Sequence, residues 1–508
     1  MLLLQCDLFR LQHSRGAQAG TGCHEGGIIL SKKPLEWHLS LPQQRSASDS
    51  NFRSGKEEWF RLQRSYLQDN YADCRESGFS YLCNRSRRGH EHRHCQKITT
   101  TDMKRIANFT LALICLLSCG RETVQDSGTH FAEEALRPLV ESGRMPGVIS
   151  VFYNNGVQET CCMGYADVEN KRPIAIDNVF MQCSQTKGFC GVTVAKLVEE
   201  GRLKLDDPVY KYLPEFGTLW VIESENDSTR VLRKAKNPLT IRMCLNHTGG
   251  FPFECSAKRS DVRGGGWSGG GPLRQIASVA AESPILFEPG TDIKYSNTGI
   301  DIAAAVVEVV TGMKWEDYLR QSVLDPLGMK STWFWPSDSQ LENQIEMYKV
   351  FEEGPCERVE ENSWQQRPYN DGHVFASAGA GLWSTAEDHL KFYKMLMNLG
   401  LGDNGVRILE EETVKSLLAV STRPEGMEGY SLGLSAPAVD SEDSWFGHGG
   451  AWCTNCSVNW HRKQLKLFVV QITDSPNIWY DALREAENSF FQATDIASGT
   501  DAYTGRTE

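Results

Sequence analysis

Met181-Gln182-Cys183-Ser184-Gln185-Thr186-Lys187-Gly188-Phe189 sets a serine three residues ahead of a lysine, where an apolar run begins. The run from Phe189 to Glu200, closed by Gly201, reads as a helix. Positions i and i+3 of a helix share a face, so the Lys187 amine can sit beside the Ser184 hydroxyl. A serine hydroxyl is a poor nucleophile until a neighbour takes its proton. An amine can do so once burial or nearby positive charge lowers its pKa. The first helical turn adds backbone N–H groups that favour developing negative charge. A capping serine and a surface lysine would share this spacing, so the stretch needs support from elsewhere.

Two further elements supply it. Phe287-Glu288-Pro289-Gly290 is followed by Tyr295-Ser296-Asn297. A tyrosine can act as a general base if a cation such as Lys187 stabilises its phenolate, which requires lowering a reference pKa of ~10. Asn297 can hydrogen-bond a substrate amide or hold Lys187 in place. The third element is Gly447-His448-Gly449-Gly450-Ala451, where glycines let the backbone come close to a substrate. The N–H of Ala451 can join that of Ser184 as an oxyanion hole. His448 can donate to a substrate carboxylate or to the tyrosine. If His448 must be neutral, activity falls below about pH 6–6.5.

In this order the three elements resemble those of penicillin-recognising serine hydrolases, for which serine-x-x-lysine is a known signature. The tyrosine-x-asparagine element resembles the class C β-lactamase branch, with its D-alanyl carboxypeptidases and esterases. The separations of 111 and 153 residues are similar to that branch. Further resemblance lies in Gly201–Val209, Leu239–Gly250, Asp325–Met329 and Ala378–Thr385, and it extends over roughly residues 128 to 490. Most of these stretches, including His247, read as scaffold. β-Lactamases of the branch carry lysine first in the third element; here it is His448. A mostly neutral imidazole attracts a penicillin-like carboxylate less, which leaves ester, amide or D-peptide substrates.

The resemblance implies acyl transfer through an acyl-enzyme at Ser184, with Lys187 and Tyr295 exchanging protons and Asn297, His448, Gly449, Gly450 and Ala451 walling the site. No metal and no organic cofactor is needed. True β-lactamase activity and a non-catalytic receptor on the same fold are the rival readings.

The periodicity predicts an α+β architecture. Phe131–Glu141, Ile300–Val310, Ala386–Leu399 and Trp479–Phe491 read as helices, with Ser384 or Thr385 capping the third. Val148–Tyr153, Glu159–Tyr165, Cys456–Trp460 and Leu465–Ile472 read as strands, the first pair joined at Asn154-Asn155-Gly156. Strands thus cluster at both ends of the chain, and a helical middle with loops at Gly264–Gly266 and Gly269–Gly271 separates them. The expected β-lactamase/transpeptidase-like fold is an antiparallel sheet flanked by helices, a mainly helical subdomain, and an active site in the crevice between.

The front of the chain differs in kind. Residues 1–102 hold 15 Lys and Arg against 11 Asp and Glu, whereas from Cys119 onward the count is 36 against 54. The whole carries a formal charge of -12, opposite in sign to a nucleic-acid binder, so no nucleic-acid partner is expected. Met103-Lys104-Arg105 opens an apolar run to Leu117 that ends at Ser118-Cys119. A charged start, a short apolar stretch and a small residue before the cut read as a secretory signal. The ending resembles a bacterial lipobox, which implies Cys119 as lipid anchor to a membrane and an exported, periplasmic or cell-envelope location. Residues 1–102 then read as a mis-assigned or disordered extension, 103–118 as the signal, 119–127 as linker, 128–495 as the hydrolase domain and 496–508 as a flexible tail. The cluster His90, His92, His94 and Cys95 lies among Arg85, Arg87, Arg88 and Arg93, which disfavours a metal. Nine cysteines between Cys161 and Cys456 show no disulfide framework.

Overall fold

Val148–Tyr153 and Leu465–Ile472, some three hundred residues apart in the chain, are hydrogen-bonded neighbours: Val151 stands opposite Leu467 and Tyr153 opposite Leu465. The computed structural model describes residues 28–31, 125–126, 128, 130–255, 271–359, 375–473 and 478–498. The export segment 103–118, Cys119, the His90–Cys95 cluster and the glycines at 264–266 and 269–270 lie outside them.

In chain order the principal elements are α1 (Phe131–Glu141), β1 (Gly147–Asn154), β2 (Val157–Asp167), β3 (Val179–Met181), α2 (Thr186–Glu199), β4 (Trp220–Glu225), β5 (Thr229–Lys234), α3 (Asn297–Thr311), β6 (Trp383–Thr385), α4 (Ala386–Met397), β7 (Phe446–Gly450), β8 (Thr454–Asn459), β9 (Gln464–Val469) and α5 (Tyr480–Ser498). The main sheet runs β7-β8-β9-β1-β2 with every neighbour antiparallel. Gln125–Asp126 adds a parallel edge and Arg172–Pro173 pairs with the far end of β2.

All eight residues of β1 are buried, because both faces of the sheet are covered. Phe152 packs on Phe490 of α5, with ring centroids 5.6 Å apart. On the other face Ile149, Val151 and Tyr153 join the core that holds α2, α3 and α4. There Phe189 of α2 stacks on Phe392 of α4 at 3.8 Å. Burying each of these rings is worth roughly 1.5–3 kcal/mol. Asn155 and Gly156 both take positive φ (43° and 96°), which a tight hairpin between twisted strands demands.

The predicted helices and strands are present, with shifted ends. α5 runs to Ser498, past the expected domain end at residue 495. Thr385, not Ser384, caps α4, its hydroxyl accepting from the N–H of Asp388 at 3.2 Å. The helical middle needs a correction: it contains the hairpin β4–β5. Its turn signal, Asn226-Asp227-Ser228, is ordinary. A bulge between Ile222 and Ser224 breaks the alternation that would have marked the strand. Ile28–Ser31, also unforeseen, pairs with β5. All nine cysteines from Cys161 to Cys456 are free thiols. Among the described residues no helix is long and apolar enough to cross a membrane.

Candidate active site

The turn that carries Ser184 is held from two directions before any chemistry is considered. β3 pairs with β6, and the Gln182 N–H donates to the Leu382 carbonyl at 2.9 Å. From the sheet side, β7 approaches so closely that a Cβ on Gly450 would collide with the Gln182 carbonyl. Glycine is required there by close approach. A short 3₁₀ turn, Cys183–Gln185, leads into α2 and leaves Ser184 half-buried between buried neighbours. Cys183 takes φ 50°, a left-handed backbone costly for a residue with a side chain.

Lys187 is wholly buried. Its Nζ lies 3.1 Å from Ser184 Oγ, 2.6 Å from Asn297 Oδ1 and 2.7 Å from the Gly379 carbonyl. The last two oxygens can only accept. A neutral amine therefore turns both of its hydrogens to Asn297 and Gly379, and its lone pair is left facing Ser184. Burial drives the Lys187 pKa down to about 7, against attraction from Asp301. Asn297 opens α3 beneath the capping hydroxyl of Ser296, which accepts from Gly299 N at 3.1 Å. Its Nδ2 is buried with no partner among the described residues.

The opposite wall is aromatic. Tyr295 faces Ser184, whose hydroxyl pulls the phenol's pKa down against burial, and its own hydroxyl stands 3.4 Å from His448 Nε2. Tyr430, from the segment before β7, reaches the same nitrogen at 2.8 Å. His448 Nδ1 abuts the Gly449 carbonyl, which can only accept. The hydrogen is therefore on Nδ1, and Nε2 offers one lone pair to two phenols. Tyr430, the nearer, takes it. His247 packs against both tyrosines with its ring tilted to each, centroids 4.4 Å from Tyr295 and 4.6 Å from Tyr430, and its Nδ1 accepts from Ser296 N.

Three sequence expectations change here. Tyr295 is not a resting phenolate: burial pushes its pKa up to about 12. Lys187 lies over its ring face, 4.7 Å from the centroid, where it does not neutralise the phenol oxygen. His448 does not present a donor to a substrate carboxylate, since its two nitrogens are occupied by Gly449 and the phenols. Burial, with repulsion from Lys187, pulls its pKa down to about 3, so no acid limb at pH 6–6.5 arises from it. Gly379, in a stretch read as scaffold, holds the amine directly.

Ser184, Lys187, Tyr295, Asn297 and His448 are brought together as expected. Gly449 and Gly450 complete the strand beside them, and Ala451 lies exposed where the turn after β7 begins. Tyr430 and Asp301 were missed. Tyr430 is an unremarked tyrosine in Tyr430-Ser431-Leu432-Gly433; Asp301 had a legible signal, an acid four residues after Asn297 inside an apolar helix.

This architecture, a mostly antiparallel sheet with flanking helices and a serine–lysine–tyrosine cluster at its edge, is the β-lactamase/transpeptidase-like fold. The beta-lactamase family matches residues 132–481, and the chain belongs to it. A protein of Mycobacterium tuberculosis is 28% identical over 320 residues, covering 62% of this chain and 76% of the relative. Protein flp of Staphylococcus aureus is 26% identical over 211 residues, covering 41% and 39%. Among solved structures, EstCE1, a hydrolase with promiscuous acyltransferase activity, superposes with TM-score 0.58 at 20% identity over 70% of this chain and 97% of that one. A mutant of simvastatin synthase from Aspergillus terreus does so with TM-score 0.58 at 22% identity over 73% and 99%. The fold family is one of serine hydrolases and acyltransferases.

Proposed function

We propose that the chain is a serine hydrolase working through an acyl-enzyme, with Ser184 as nucleophile, Lys187 as the amine that takes its proton and Tyr295 as the phenol that relays it. The carrying observation is the fixed Lys187 amine, with two acceptors behind it and Ser184 Oγ in front at 3.1 Å. As Ser184 Oγ bonds to the carbonyl carbon, its proton passes to Lys187. The oxyanion collects on the N–H groups of Ser184 and Ala451. Tyr295 then gives its proton to the leaving oxygen or nitrogen as the carbonyl re-forms; in the second half it regains a proton from the incoming water or hydroxyl, while Lys187 hands its own back to Ser184 Oγ. Water or a second hydroxyl enters along the same route in reverse and frees the acyl group.

The preferred substrate is an ester, amide or D-peptide whose acyl part carries a hydrogen-bond acceptor for Asn297 Nδ2. A carboxylate finds no positive charge at His448, which argues against penicillins. A fluorophosphonate probe tests the reading: it should label the chain, and Ser184→Ala should abolish labelling. A panel of p-nitrophenyl esters, D-Ala-D-Ala peptides and a chromogenic cephalosporin tests the substrate class. Cephalosporin turnover equal to that of the esters would refute it.

A further inference from the structure

Asn297 and Asp301 are four residues apart and share one face of α3. Asn297 holds the Lys187 amine directly. Asp301 holds it at one remove. Its Oδ1 accepts from Ser377 Oγ at 3.2 Å and from Gly379 N at 3.2 Å, and the Ala378 N–H is a third donor. Gly379 in turn gives its carbonyl to Lys187 at 2.7 Å. The segment has no room to shift: a Cβ on Gly379 would stand 2.8 Å from that of Asn297.

Asp301 is 2% exposed. A carboxylate in such a place needs a reason, because burying a charge is costly unless something compensates it. The three donors compensate part. Burial nevertheless pushes the Asp301 pKa up to about 7, and Lys187 is the cation that pulls it back toward the charged form, so the carboxylate and the amine titrate in the same region.

The other groups facing Lys187 do not share this role. From its own helix and turn come Cys183 and Cys190, thiols that burial keeps neutral. Cys244, in the short helix below α3, is neutral for the same reason. His247, from the following loop, and His448, from β7, are buried and uncharged at neutral pH. Tyr295 is a neutral phenol. Glu254 attracts the amine less than Asp301 and is only half-buried.

We propose that Asp301 is a positioning residue for acyl transfer: through Gly379 it fixes the carbonyl that orients Lys187, and its negative charge sets the pH at which Lys187 becomes the free amine. The proposal rests on the hydrolase reading of the same site. An anion nearby favours the ammonium, so removing it lets Lys187 lose its proton at lower pH.

The test compares pH profiles of kcat/KM on a p-nitrophenyl ester, using the full chain. Asp301→Asn keeps the acceptor oxygen and loses the charge. Its acid limb should move to lower pH by about one unit, while the plateau stays within severalfold of wild type. Asp301→Ala loses both and should also drop the plateau by at least about tenfold, mostly in kcat. Ser377→Ala removes one donor, makes the carboxylate easier to protonate, and should shift the limb the same way by less. That variant carries the test should Asp301→Asn fail to fold. An acid limb that stays put, or moves up, in a folded variant whose Ser184 still takes the fluorophosphonate probe overturns this inference alone. A wild-type chain that takes up no probe overturns the hydrolase reading and this inference together.

Discussion

The two walls around Ser184 are built on different principles. On the α side one amine meets three oxygens at 2.6–3.1 Å, and two of those oxygens can do nothing but accept. On the β side two phenols converge on one imidazole nitrogen, at 2.8 and 3.4 Å, and a second imidazole packs, tilted, against both. The first arrangement fixes where hydrogens must be. The second leaves a choice, since His448 Nε2 has one lone pair for two hydroxyls. A rigid acceptor cage suits the group that must take a proton; a shared hydroxyl suits the group that must pass one on. Because Tyr430 is the nearer partner of Nε2, in the proposed mechanism the Tyr295 hydroxyl is available for Ser184 and the leaving group.

Breaking the α wall should cost most. Lys187→Met keeps the length and removes the base, and kcat should fall about 10³–10⁴-fold with the fold intact by circular dichroism. A loss under tenfold would mean that the proton leaves by the β wall. Tyr295→Phe comes next. It should lower kcat about 10²-fold, and least for substrates with good leaving groups, which need no proton; equal losses across a p-nitrophenyl and an alkyl ester would remove the phenol from that role.

The pH dependence sharpens the contrast without mutation. The base must be neutral, and burial places the Lys187 pKa at about 7. Activity should therefore fall as pH drops through that region, because protonated Lys187 cannot accept. His448, down at about 3, should add no second limb above pH 5, which a steeper-than-single-proton profile would contradict.

The smallest effect is expected at Tyr430. In Tyr430→Phe the freed Nε2 can capture the Tyr295 hydroxyl. One such hydrogen bond is worth about 0.5–1.5 kcal/mol, or roughly 2- to 12-fold in kcat. In a His448→Ala background the same change should do nothing. Additive losses in that double-mutant cycle would show that Tyr430 acts by packing and not through the imidazole.

How legible these walls were in the sequence follows from the distance over which each signal acts. Ser184 and Lys187 share a helical face at i and i+3, and that spacing is local. Asn297 and Asp301 share one too, but the acid inside an apolar helix carried no partner that the sequence could supply. Gly379 lay in a stretch that reads as glycine-rich scaffold, and its role is a backbone carbonyl, for which no residue type is diagnostic. Tyr430 reaches His448 across 18 residues of chain with no period to betray it. The hairpin β4–β5 was hidden by a bulge, which spoils the alternation used to recognise strands.

Sequence alone determined the helix that begins beside Ser184, the strands at either end of the chain, and which side chains were candidates for proton transfer. These depend on periodicity and residue chemistry, which are properties of neighbours in the chain. Tertiary structure alone decided the protonation states: that Tyr295 rests as a phenol, that His448 is neutral and faces inward, and that Lys187 is poised near neutrality. Charge in a protein is set by burial and by the groups within a few ångströms, and here those come from α2, α3, β7 and the segment at Gly379, which meet only once the chain has folded.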